Sequence, residues 1–97
     1  MFEIEFSIRA RDNIKTLRKR DQQIIVDAVQ VQLKHQPDQP TRHRKHLEEN
    51  PLAPWELRVG DFRVFYDVNQ EDKKVIVVAV GKKSHDELRM GGEEIKL

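Results

Sequence analysis

The chain contains no cysteine. That removes disulfide scaffolds, thiolate nucleophiles and thiolate metal sites together. It also lacks a long apolar run. The longest is Val75-Ile76-Val77-Val78-Ala79-Val80, against the ~20 residues that a membrane-spanning helix needs. The first residues, Met1-Phe2-Glu3-Ile4-Glu5, lack the basic start and apolar stretch of a secretory signal. The expectation is a cytoplasmic protein with no membrane partner. Charge of one sign is missing too: 18 Lys and Arg face 17 Asp and Glu, a net charge of +1. Bulk charge therefore selects no partner, and what matters is where the cations sit. Glycine is scarce, and all four prolines fall within residues 37–54. No internal repeat, low-complexity tract or linker divides the chain.

What is present is a thin core under a dense charged coat. Ninety-seven residues suit a single domain, taken here as 1–97. Charged residues make up 36%, above the ~25% of an average soluble domain. Leu, Ile, Val and Phe still exceed the ~20% level below which disorder is the default.

Periodicity sets out the elements. Phe2, Ile4, Phe6 and Ile8 alternate with polar residues, a half-buried strand over 2–8. From Arg9 the spacing becomes helical through Ala10, Ile14 and Leu17, a short helix over 9–19. Asp21 is placed to cap a second helix, whose stripe runs from Ile24 to Leu33 and which Pro37 and Pro40 close. Residues 37–54 read as loop or edge structure, with Leu47 and Leu52 as anchors to the core. Trp55–Val59 and Phe62–Val68 are strands joined by Gly60-Asp61, a pair suited to a primed hairpin turn. After a polar turn over 69–73, Lys74–Lys82 is a strand apolar on both faces, hence central. Ser84 to Leu88 suits one helical turn. Gly91-Gly92 releases a tail whose Ile95 and Leu97 fit an edge strand or a free end. The fold class is α+β in the order β-α-α-β-β-β, a two-helix hairpin packed on an antiparallel sheet.

The stretch Trp55-Glu56-Leu57-Arg58-Val59-Gly60-Asp61-Phe62-Arg63-Val64-Phe65-Tyr66-Asp67-Val68, followed by Val77-Val78-Ala79-Val80-Gly81-Lys82-Lys83, resembles the RelE/ParE superfamily of type II toxins, most closely its RelE-like mRNA interferases. The resemblance covers nearly the whole chain and is most specific in the C-terminal half. It implies a toxin encoded beside a small antitoxin. RelE-like members cut messenger RNA on the ribosome, whereas ParE-like members poison DNA gyrase by binding. The first activity is the leading expectation: a metal-independent endoribonuclease that inhibits translation, with antitoxin, ribosome and mRNA as partners and no cofactor. The alternative is a gyrase-binding toxin or an inert member acting only by protein binding.

RNA cleavage by the 2′-hydroxyl needs proton transfer and cations aimed at the charge that develops on phosphorus. The resemblance places Arg63 on the scissile phosphate, Arg58 where members often carry Lys, and Lys83 where they usually carry Arg. A lysine there keeps the charge and loses the bidentate fork. Histidine is the side chain whose ordinary pKa, ~6.5, lies closest to neutrality, so His85 is the candidate for acid or base work. Lys82 and Arg89 are added as RNA contacts. The run Arg42-His43-Arg44-Lys45-His46 supplies Arg42, Arg44 and Lys45 as candidates for ribosomal RNA. His43 and His46 have no convergent third ligand, so no metal is expected. Two departures stand out: Glu56 occupies a position often held by Lys, and no aromatic residue follows Tyr66. The antitoxin is expected to lie along a seam of Ile14, Leu17 and the Ile24 to Leu33 stripe, with its acids near Arg58, Arg63, Lys82 and Lys83.

Overall fold

A computed structural model of the chain describes residues 1–84, 87–90 and 93–95. Strand β1 (Glu3–Phe6) leads into helices α1 (Ile8–Lys15) and α2 (Lys19–Leu33). The strands β2 (Arg44–His46), β3 (Trp55–Val59), β4 (Phe62–Asn69), β5 (Lys74–Ser84), β6 (Glu87–Met90) and β7 (Glu93–Ile95) follow. Strands β2 to β7 neighbour one another in sequence order. Each of these pairings is antiparallel, and β1 alone runs parallel, against β5, from Glu3 opposite Lys74 to Phe6 opposite Val77. The expected antiparallel sheet is therefore a mixed one. Both helices lie on one of its faces and close the main core.

Ser7 ends the first strand sooner than the apolar alternation suggests. Its Oγ accepts the Ala10 N–H at 3.0 Å and donates to the Val78 carbonyl at 2.7 Å. The serine thus caps α1 and ties the helix start to β5. Ile8, expected on the inner face of the strand, is instead a helical residue 79% exposed. Helix α1 stops at Lys15 rather than residue 19, because Thr16 turns its N–H and Oγ1 back onto the Asn13 carbonyl. Helix α2 starts two residues before Asp21. That acid sits in the first turn, 3.9 Å from Arg18 Nε, and is not the cap. The buried stripe of α2 is Ile25, Val29 and Leu33, four residues apart.

Between Phe65 and Tyr66 the register of β4 on β5 shifts, so that Phe65 faces Ala79 and Tyr66 faces Val77. Val78 is the extra residue of a β-bulge. The bulge changes which residues of β5 face the helices. Val75, Val77 and Val80 join the helix-side core, while Val78 and Ala79 join a second cluster on the opposite face. Asn13 of α1, itself buried, offers Oδ1 to the Val80 N–H at 3.0 Å. Ser7 and Asn13 thereby serve the edge of β5 between the stretch paired to β1 and the stretch paired to β6.

The second cluster contains Ala53, Phe65, Ala79 and Leu88, with Leu47 and Leu52 packed against it, so the proline-rich segment is anchored as expected. Ser84, Glu87 and Leu88, expected in one helical turn, are strand residues, and His85 and Asp86 lie outside the described residues. Strand β5 runs on to Ser84 and β6 returns from Glu87, with Lys83 opposite Leu88. The gain is burial of Leu88 to 3% exposure beside Phe65 and Ala79. The tail supplies β7 at the edge, with Ile95 opposite Leu88. At the β3–β4 turn Gly60 adopts φ +58°, the conformation for which glycine suits this turn.

Candidate functional site

Trp55 and Leu57 of β3 and Val64 and Tyr66 of β4 fill the helix-side core. Strand alternation therefore sends Glu56, Arg58 and Arg63 to the other face. The Gly60-Asp61 turn sets Arg58 directly opposite Arg63. Like charges so placed repel, and Glu56 answers the repulsion. One of its oxygens lies 3.7 Å from Arg58 Nε and the other 3.7 Å from Arg63 Nε. Glu56 is 7% exposed, a burial that a carboxylate tolerates only with cationic partners.

The two arginines are held differently. Arg63, whose side chain is 14% exposed, donates from Nη1 to the Gly60 and Phe62 carbonyls at 2.8 and 2.9 Å. Its Nε is buried and makes no hydrogen bond. The Arg58 side chain is 48% exposed and has more freedom to reach out. Lys83 joins the same face, since the bulge puts it in phase with Ala79 and Gly81, and its own N–H is fixed by the Asp61 carbonyl at 2.8 Å. Its side chain is exposed. Lys45, also exposed, shares the face by register, opposite Glu56. Arg42 is exposed at the approach to β2, next to His43, whose carbonyl accepts the Arg58 N–H at 2.8 Å.

Three of the candidates belong elsewhere. Lys82 and Arg89, paired in register, fall on the helix side, where they line a cavity of about 290 Å³ with Asn13, Thr16 and Leu17. Lys82 Nζ sits 5.9 Å from the centre of the Phe62 ring. Arg58, Arg63, Lys82 and Lys83, expected together near the antitoxin's acids, are thus split between two faces at one end of the sheet. Arg44 is 9% exposed, and its Nη1 donates to the Gln32 and His35 carbonyls at 2.7 and 3.1 Å. It ties the C-terminal end of α2 to the sheet and is not presented to a ligand. His85 lies outside the described residues. His46 packs edge-on against Trp55 at 5.1 Å. Among the described residues no three potential ligands form a metal-holding group.

The sequence reading missed the burial of Glu56 and its bridging of two arginines. The signal was present: a two-residue hairpin at 60–61 fixes 58 opposite 63 and leaves 56 on the same parity. Asn13 was also passed over. A polar residue one position before Ile14 on an amphipathic helix carries no mark that it will meet an open backbone N–H.

Two helices packed on one face of a mixed sheet make an α+β fold that matches RelE structures. Three solved complexes contain a chain of this fold. They are the RelBE2 toxin-antitoxin complex of Mycobacterium tuberculosis (TM-score 0.72, 22% identity, 84% of this chain and 98% of that one), the archaeal RelE-RelB complex of Pyrococcus horikoshii (0.69, 19%, 87% and 97%) and the intact RelBE complex of E. coli (0.64, 23%, 88% and 100%). A search among curated protein sequences gives no match. Residues 4–87 match the family described as ParE toxin of type II toxin-antitoxin system, parDE, and the chain belongs to that family. It is a type II toxin-antitoxin toxin of the RelE/ParE group.

Proposed function

We propose that the chain is silenced by a cognate antitoxin and, when released, cleaves messenger RNA through the face of Arg58, Arg63 and Lys83. The observation that supports this reading is the fixed guanidinium of Arg63, held by two carbonyls and Glu56 beside two exposed cations. Preorganised cations of this kind stabilise developing charge without having to reorganise first. The 2′-oxygen would attack phosphorus as the bond to the 5′-oxygen breaks. The hydroxyl proton leaves to a base, and the 5′-oxygen takes up a proton. Arg63 and Lys83 would carry the charge on the phosphoryl oxygens, and Arg58 would hold the neighbouring backbone. His85 is the sequence candidate for the proton transfers. Lys45 and Arg42 extend the cations along the face toward a larger RNA surface.

An antitoxin is proposed for the helical side, where an apolar hollow of about 270 Å³ opens between Phe6, Ile14 and Val26. The antitoxin complexes of the three structural neighbours support the same partner. A second reading, a toxin that binds DNA gyrase without cutting RNA, is favoured by the family match and by Glu56, which cancels one of the two arginine charges. Induction of the chain alone separates the two. Cut messages mapped by primer extension, with replication continuing at first, fit cleavage. Intact messages with altered plasmid supercoiling fit gyrase.

A further inference from the structure

Burying a carboxylate between two arginines that oppose one another is a costly way to build a sheet. An apolar residue at 56, with a neutral one at 58, would remove both the buried charge and the repulsion. The site keeps all three charged groups. The two oxygens of Glu56 go to different arginines, each at 3.7 Å, so the carboxylate is a bridge and not half of a simple pair. Arg63 is gripped at Nη1 by the Gly60 and Phe62 carbonyls, while its buried Nε lies 3.7 Å from Glu56 Oε1, beyond hydrogen-bond distance. The three groups sum to a single positive charge.

We infer that Glu56 is a positioning residue: it fixes the plane and place of the Arg63 guanidinium and lowers the pull of the face on polyanions at large. The face then holds one phosphodiester in register instead of gripping any nucleic acid. This inference deepens the proposed RNA cleavage and rests on it for its consequence. The positioning itself is a property of the isolated protein.

The full-length chain with Glu56→Gln tests it, since glutamine keeps the shape and removes the charge. Three readouts are taken. Nitrogen-15 NMR follows the Arg63 Nε–H, which is expected to exchange slowly with solvent in the parent chain and at least tenfold faster in the variant. Binding to a short single-stranded RNA oligonucleotide, followed across salt, should tighten several-fold at low salt, with the log–log salt slope steeper by about one. Inhibition of a cell-free translation reaction should fall about tenfold or more despite the tighter binding. A variant whose inhibition rises in step with its affinity would make Glu56 a mere charge brake and overturn the inference. Unchanged Arg63 exchange would overturn it as well. If Glu56→Gln fails to fold, Glu56→Asp replaces it, keeping the charge on a shorter arm. Parent-like RNA affinity with several-fold weaker inhibition is then expected, and full inhibition overturns the inference. A parent chain that leaves translation untouched refutes the proposed RNA cleavage, and the NMR exchange still decides the positioning.

Discussion

At Arg63 the guanidinium is anchored on one side by the turn carbonyls and on the other by Glu56. Replacing it with alanine should leave the fold intact, because the side chain lies outside both apolar clusters and Arg58 still faces Glu56. The loss in toxic activity should resemble removal of an oxyanion-type donor, ~10²-fold or more. Growth arrest on induction, with circular dichroism as the fold control, checks both halves. Tyr66 behaves differently. Its hydroxyl donates to the Pro37 carbonyl at 2.7 Å, and burial pushes its pKa well above the usual value of 10.0. Above pH ~10 an unfolded chain would release this proton while the folded one keeps it. The contribution to stability is therefore complete below pH ~10 and drains away as pH rises further, by up to ~1.4 kcal/mol per pH unit. The chain has one tyrosine, so tyrosinate absorbance reports on this residue alone and should appear only as the fold gives way. Tyr66→Phe should flatten that part of the alkaline slope and cost ~1–2 kcal/mol at neutral pH, since Pro37 loses its donor. The Lys74 pKa is raised by its hydrogen bond to Glu5, which adds loss of the same sign at high pH. The difference between parent and Tyr66→Phe isolates the phenol.

Among the elements, the bulge of β5 and the two side chains that hold it decide how the site is presented. Asn13→Ala should leave the Val80 N–H buried without an acceptor, at a cost of ~1–3 kcal/mol. Hydrogen exchange at Val80 should accelerate more than at Val75, which lies in the stretch paired to β1. Much of this level was legible beforehand. Alternation in Trp55–Val59 and Phe62–Val68, with glycine at 60, determined the hairpin and the opposition of 58 and 63. Helical spacing found both helices, although their ends depended on Ser7 and Thr16, whose side chains act on backbone groups. The bulge was not legible, because Val75 to Val80 is apolar at every position and carries no parity to break. Alternation puts Lys82 and Lys83 on opposite faces, but which of the two joins the arginine face was hidden. Arg44 was hidden for a related reason: among Arg42, His43, Lys45 and His46 nothing marks the one cation that turns inward to the end of α2.

At the scale of the whole molecule, one end of the sheet carries cations on both faces, with Lys83 on one and Lys82 on the other. A partner that covers the helical hollow and also blocks the arginine face must reach around that end. Charge reversal at Lys82 and at Lys83 should then each slow antitoxin association several-fold at low salt. The two effects should multiply in the double variant and shrink together as salt rises. Stopped-flow binding across salt concentrations is the measurement. Sensitivity to one lysine alone would confine the partner to a single face.

The pairing of β1 with β5 also orders events in time. Ser7 bonds to Val78 across 71 residues, and the parallel stretch beside it spans the chain equally far. Contacts that distant in sequence form late, after a large loop has closed. During synthesis the helical half emerges first and lacks the central strand of its sheet until Lys74 to Ser84 leaves the ribosome. The arginine hairpin comes out just before that strand, so the sheet around the arginine face is complete only once β5 has emerged. A nascent chain stalled before β5 should be protease-sensitive throughout and harmless, and refolding of the finished chain should be slow for its size. A partner that bound the helical half alone would meet it before the arginine face is in place.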